Sequence, residues 1–239
     1  CKDDENGVAL SGWTLMLQGE HVDGFAVAVN NSAGTNTTQV LDDALSYVAV
    51  ATGTWLNSGQ AGNYVDAEYS TSDAWTTPID GFLGYSTDIL ELQINSRFDS
   101  DGNNWGPYNS THVYAQSFTP SVDGPANFRI YDGHPVPTVQ AGWYGDNVEN
   151  TLGVNVYEGY AGVTGEDGCV TFANVPYGAY TATEVSKEGW SYMATWDGET
   201  ATTEPKPIVA VNAPTEIFTI QNNDTRNDDD GDYEDYGSG

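Results

Sequence analysis

The sequence predicts an all-β protein made of sandwiches of short strands. Three observations carry this. Apolar and β-branched residues come in short runs, turn formers separate the runs, and no stretch has the apolar period of a long amphipathic helix. The composition agrees, with 12% aromatic residues, mostly Tyr and Trp, and 27 glycines. Aromatic and β-branched side chains suit a pleated surface, and Gly, Asn and Asp suit the turns between strands.

In chain order, strands are expected over residues 25–29, 46–51, 89–94, 113–118, 127–131, 154–157, 170–172, 180–185 and 217–220. Asp-Gly, Asn-Ser and Pro-Tyr-Gly clusters punctuate them. One helical turn is expected over residues 40–47. The length allows one or two domains.

Charge narrows the function class. The chain holds 35 Asp and Glu against 6 Lys and Arg, a formal charge of −29 over 239 residues. Ordinary soluble domains carry a net charge of roughly 2–8 in magnitude. Only residues 227–235 form a true acidic run; the rest of the charge is spread through strand-like segments. Such a domain repels itself in dilute buffer and is comfortable where salt shortens the Debye length to about 3 Å, or where bound calcium neutralises carboxylates. Phosphates would be repelled, so nucleic acid is disfavoured as a partner. No apolar run reaches the ~20 residues needed to span a bilayer. No signal peptide is present, so a mature or trimmed form is expected. Asn30, Asn36, Asn109 and Asn223 each open an N-x-S/T sequon, which fits a secreted, glycosylated protein.

Cys1 and Cys169 make no C-x-x-C pattern. Outside the cell they suit a disulfide, within the chain or to a neighbouring subunit. A lipid on Cys1 or a free thiol are the remaining readings.

The order of motifs adds a domain plan. Lys2-x-Asp4-x-x-Gly7-x-x-Leu10-Ser11-Gly12-Trp13-Thr14-Leu15-x-Leu17 resembles the opening of a Cna-B or SdrD-B-type domain, the prealbumin-like sandwich of microbial surface adhesins and pilins. The continuation lies far downstream. Thr164-Gly165-Glu166-Asp167-Gly168-Cys169-Val170-Thr171-Phe172, then Val175-Pro176-Tyr177-Gly178-Ala179-Tyr180 and Glu188-Gly189-Trp190, resembles the rest of that family closely. The resemblance implies a host sandwich over residues 1–18 and 159–226, an insert over 19–158, and an acidic flexible tail over 227–239. The insert resembles a second family, the PA-I-type galactophilic lectins. The likeness rests on Val48-x-Val50-x-x-Gly53-Thr54-Trp55, Leu90-Glu91-Leu92-Gln93-Ile94-Asn95, Phe128-Arg129-Ile130-Tyr131-Asp132 and Tyr144-Gly145-Asp146-Asn147. That implies a jelly-roll sandwich with one calcium. The lectin's sugar-contacting His and Gln segment has no counterpart, so calcium carries over more readily than galactose.

Two chemistries follow. Calcium takes six to eight oxygens from carboxylates, amides and carbonyls. Asp132 ends one strand and Asp146-Asn147 opens the next, which groups three oxygen side chains at one end of the insert. Without the resemblance, Asp146-Asn147 reads as an Asx turn. Asp99, Asp101 and Asn103 alternate oxygen side chains in a second candidate loop, without the turn glycine or closing glutamate of an EF-hand. Asp66 and Glu68 are read as two carboxylates on one strand face, either further ligands or an outer face. In the host, many Cna-B-type domains join a Lys on the first strand to an Asn on the last through an isopeptide bond promoted by a buried acid. Lys2, Asn222 and Glu184 occupy the matching positions. Without that bond, Lys2 is a solvated Lys and Glu184 a surface acid.

An enzyme acting on an external substrate is not expected. There is no G-x-S-x-G, no H-E-x-x-H and no nucleotide loop, and His21, His112 and His134 are scattered. His112 is expected to pack among aromatics. The expectation is an extracellular structural or adhesive cell-surface protein of a halophile, self-associating into a filament or layer. The competing expectation is a calcium-dependent carbohydrate-binding adhesin.

Overall fold

The computed structural model of the chain describes residues 1–57, 62–71, 74–75, 89–95, 105–133, 144–148, 152–197, 200–204, 207–213 and 215–227. Among them the protein is all-β, with no α-helix. The strands are β1 Lys2–Asp4, β2 Thr14–Ala26, β3 Thr35–Asn36, β4 Tyr47–Thr52, β5 Trp55–Leu56, β6 Tyr64–Val65, β7 Ile89–Ile94 and β8 Val113–Phe118. They continue as β9 Asn127–Gly133, β10 Gly153–Val163, β11 Gly178–Glu184, β12 Trp190–Asp197, β13 Thr200–Thr202, β14 Ile208–Val211 and β15 Phe218–Asp224.

A six-stranded sheet runs β14-β11-β2-β10-β4-β8, and a four-stranded sheet runs β1-β15-β12-β13. A third sheet, β3-β9-β7, belongs to the region between β2 and β10. Leu15 and Leu17 point one way from β2 into two small clusters, Trp13–Leu15–Ile220 and Leu17–Ala182–Val209. These lie where the four-stranded sheet meets β14-β11-β2. Met16 points the other way and is buried with Val48, Ala115 and Val185. Both faces of β2 are therefore covered, which is why Thr14 to Leu17 are buried without alternation.

The expected boundaries at residues 18/19 and 158/159 fall inside this strand pair. β2 and β10 stay antiparallel from Val163↔Thr14 to Gly153↔Ala26, with irregularities on either side of Tyr157. One end of β2 pairs with β11 and the far end of β10 pairs with β4. Gly159 makes the crossing feasible. Its φ is +143°, and a Cβ there would lie 2.0 Å from the Leu17 carbonyl oxygen. Beyond it lies the largest core, in which Phe128, Ile130, Leu92, Trp55, Trp105 and Val154 are buried.

Two expectations are corrected. Residues 40–47 make no helical turn: Leu41 bridges to Gly124, and the Asp42 side chain accepts from Ala44 N in an Asx turn that competes with a helix. Residues 170–172 are not a strand. Val170 and Phe172 instead lie over Gly162, where the missing side chain leaves room for them. The expected strand at 25–29 ends at Ala26, as the terminus of the long β2.

Candidate functional site

The site is built where three strands converge. β1 pairs parallel with β15, placing Lys2 beside Ile220 and Asp4 beside Asn222. Residues two apart share a face, so Ile220 and Asn222 both point inward and are buried. Glu184 ends β11, opposite Leu15. Lys2 has no exposed surface and Asn222 is 1% exposed. Asn222 Nδ2 donates to Glu184 Oε1 at 2.6 Å, and Lys2 Nζ lies 3.5 Å from Glu184 Oε2. The three residues that the sequence picked out from positions 2, 184 and 222 are thus brought together, with one carboxyl oxygen toward each nitrogen.

The surroundings are apolar. Lys2 Nζ lies 4.6 Å from the centre of the Trp13 ring and donates to the Ile220 carbonyl. Trp13 meets Trp190 edge-on. Lys187, whose Nζ donates to Gly12 O at 2.8 Å, lies over the same Trp13 ring. Burial pushes the Lys2 amine below the usual lysine range, although Glu184 pulls the other way. Burial also raises the Glu184 carboxyl, against the pull of Lys2 and the Asn222 bond. Both shifts favour the neutral forms, an amine that can attack and an acid that can give a proton. Asn222 Oδ1 is buried and accepts no hydrogen bond among the described residues.

Cys1 and Cys169 form a disulfide within the chain, one residue from Lys2. Of the open readings for the cysteines, the intramolecular pair is the one adopted.

At the calcium candidate, Asn147 Nδ2 donates to Asp132 Oδ2 at 2.7 Å and to the Val29 carbonyl at 3.0 Å. Asp132 and Asn147 are 2% and 3% exposed. Asp146 stands exposed in the 3-10 turn Tyr144–Asp146 and does not share their burial. As placed, the amide nitrogen lies between the two oxygens and hydrogen-bonds to both, so two oxygens meet here against the six to eight that calcium takes. Turning the amide would offer a third oxygen. Asp99, Asp101 and Asn103 lie outside the described residues.

Asp66 and Glu68 do not share an exposed strand face. Asp66 is fully buried, and its Oδ1 accepts from the amides of Glu68 and Tyr69. Its Oδ2 accepts from Tyr114 Oη at 2.8 Å and meets His112 Nδ1 at 2.9 Å. Glu68 Oε2 accepts from Trp105 N. Asp66 thus clasps its own turn to Tyr114 and His112. His112 packs against Trp75 and Tyr108, as expected, His21 packs against Tyr157, and His134 lies outside the described residues.

Sequence reasoning missed Asp42, Asp43 and Asp123, whose exposed carboxylate oxygens lie within 4.8 Å of one another. No local pattern could have found a contact between positions 43 and 123. Asp43 N donates to Asp123 Oδ1, so the cluster has a turn-forming role of its own. Among the sequons, Asn30 and Asn36 are exposed and Asn223 is half-buried. Asn109 is a correction: it is 5% exposed, and its Nδ2 donates to Val113 O and Ser186 O, which leaves no room for a glycan.

Scans of family models, curated proteins and solved structures find no match to this chain.

Proposed function

We propose that this chain is a covalently locked structural module of an extracellular surface assembly, a filament or layer of a halophile, and not an enzyme acting on an external substrate. The observation that carries the reading is the buried Lys2–Glu184–Asn222 constellation. A fully buried Lys and amide beside a largely buried acid cost several kcal/mol unless they pair with one another. Their arrangement supports amide exchange. Neutral Lys2 Nζ attacks Asn222 Cγ, and Glu184 Oε2 takes the proton that the amine loses. Glu184 Oε1 hands a proton to Nδ2, and ammonia leaves as the Lys2–Asn222 amide forms. The bond would join adjacent strands at the two ends of the described chain and carry tension directly between them. The acidic surface, at home in molar salt, and the continuous β2–β10 pair support the same reading. Among the described residues no helix is long and apolar enough to cross a membrane. The test is intact mass. One ammonia should be missing relative to the sequence after allowance for the disulfide, and Glu184→Gln should restore it. A full sequence mass in the wild-type chain overturns the crosslink.

A second reading, a calcium-dependent carbohydrate-binding adhesin with a lectin-like jelly-roll insert, is favoured by one observation. The Val29 carbonyl and the Asp132 carboxylate meet at the buried Asn147 side-chain amide. These three would hold calcium, and the ion would supply a Lewis-acidic anchor for sugar hydroxyls. Calorimetry with calcium should give one site that Asp132→Ala removes, and a glycan-array signal should vanish with chelator. Retained calcium stoichiometry in Asp132→Ala would sink this reading.

A further inference from the structure

The covalent reading leaves the neighbouring disulfide unexplained. β1 is an edge strand of three residues, paired with β15 on one side. It must nevertheless bury a lysine completely before any amide bond exists to hold it. Desolvation of that amine opposes docking, so β1 belongs to the low-stability end of the sandwich. Its other side is held by a clasp. Lys2 N donates to Gly168 O at 2.8 Å, and Leu10 N donates to Lys2 O at 2.8 Å. The clasp fits closely: a Cβ on Gly168 would lie 2.8 Å from Lys2 O and 2.9 Å from Ala9 Cβ. Gly168 N and Cys169 N are tied within the same turn to Gly165 O and Asp167 Oδ1. Cys169 ends this turn and is bonded to Cys1, the residue before Lys2.

We propose that the Cys1–Cys169 disulfide is the positioning element for the crosslink: by pinning β1 against the Gly165–Cys169 turn, it keeps the Lys2 amine at Glu184 and Asn222, so that the oxidised chain forms the amide far faster than the reduced one. The inference rests on the crosslink reading above. Its physical basis is effective concentration. Sequence separation between the cysteines is 168 residues, and a tether across that span turns a rare encounter into a standing contact. Cys1 and Cys169 touch neither reacting nitrogen and act through Lys2. The amide step itself balances without them, exchanging one carboxamide and one amine for a secondary amide and ammonia. The thiols are oxidised separately, by oxidised glutathione in the experiment below.

The full chain is unfolded in urea from inclusion bodies and refolded into molar salt, with either dithiothreitol or oxidised glutathione. Ammonia loss is timed by intact mass, and rates are compared at matched near-ultraviolet circular dichroism, so that folding is not the variable. Reduced wild type and Cys1→Ser/Cys169→Ser should crosslink at least about tenfold more slowly than oxidised wild type. The pH profile of the residual rate should keep its shape, because Lys2 and Glu184 still set the proton chemistry. Where the double variant does not regain the folded signal, Gly168→Val decides. It keeps both cysteines but drives the turn off Lys2, and it should slow ammonia loss with the disulfide intact. Equal rates in oxidised and reduced chains, or a wild-type rate in Gly168→Val, overturn the positioning role while leaving the crosslink standing. Absence of ammonia loss in the oxidised wild type overturns both.

Discussion

The two ends of the β2–β10 pair solve stability differently. Beyond Gly159 a single large core buries Phe128, Ile130, Leu92, Trp55, Tyr114 and the loop residues Tyr69 and Trp105, and no cysteine is present there. On the near side the core is split into two small clusters around Trp13 and Leu17. That side holds the only disulfide and the Lys2–Glu184–Asn222 site. Small cores bury too little apolar surface to offset chain entropy, and covalent staples compensate by restricting the unfolded chain. The difference teaches that the disulfide, and the crosslink proposed beside it, sit where packing is thinnest.

The largest effect should come from removing the staples. Lys2→Arg would block the proposed amide, and in the chain-entropy model a crosslink of that span would stabilise by about 5 kcal/mol. At a few degrees per kcal/mol in a chain of this size, the melting midpoint should fall by roughly 10–20 °C. Hydrogen exchange should place the loss in β1, β12 and β15, with β7 and β9 protected; uniform loss would erase the contrast between the two ends. Phe128→Ala should do the reverse. A buried aromatic truncated to Ala costs about 3–5 kcal/mol, and the lost protection should fall on β7 and β9 while β1, β12 and β15 keep theirs.

Gly159→Ala probes the junction. Its Cβ would meet the Leu17 carbonyl, and its φ is strained for any residue but glycine. The expected cost is about 1–3 kcal/mol, with one calorimetric transition splitting into two. A single unshifted transition would show that the halves are coupled elsewhere, first through Met16, Val48, Ala115 and Val185.

The smallest effect concerns pH, in a chain freed of the crosslink by Asn222→Ala. Burial raises the Glu184 carboxyl in the folded state. A raised carboxyl leaves the folded chain holding its proton longer than the unfolded chain, so its stabilising share is complete below the ordinary Glu range and is lost as pH rises through the raised value. The melting midpoint of this variant should therefore drop as pH climbs from about 4 towards neutrality, and adding Glu184→Gln should flatten that slope. The surface acids answer to salt instead: the wild-type midpoint should rise from dilute buffer to molar salt. An unchanged midpoint would remove self-repulsion from the account.

Much was legible in the sequence, and for identifiable reasons. Strands β7 and β8 match expectation to the residue, because their apolar runs are bounded by strong turn signals. Lys2, Glu184 and Asn222 were named from motif positions alone, and the fold brings them together. β12 to β14 are not legible: Trp190–Asp197 buries only Ala194 and Thr195 and leaves its aromatics partly or fully exposed, and Ile208–Val211 is a short edge strand. The cysteine pairing is not legible in the sequence, because only the fold brings β1 against the Gly165–Cys169 turn.

By itself the sequence determined the all-β class, the acidic surface and the residue types of the site, because strand propensity, turn chemistry and net charge are local or additive properties. Only the tertiary structure decided that Asp66 is a buried clasp, that Asn109 is sealed and that Asp146 stands apart from Asp132 and Asn147. It also decided that β2 and β10 run as one antiparallel pair, with bulges beside Tyr157, past Gly159. Burial and register depend on which distant segments meet, and no window of neighbouring residues contains that information.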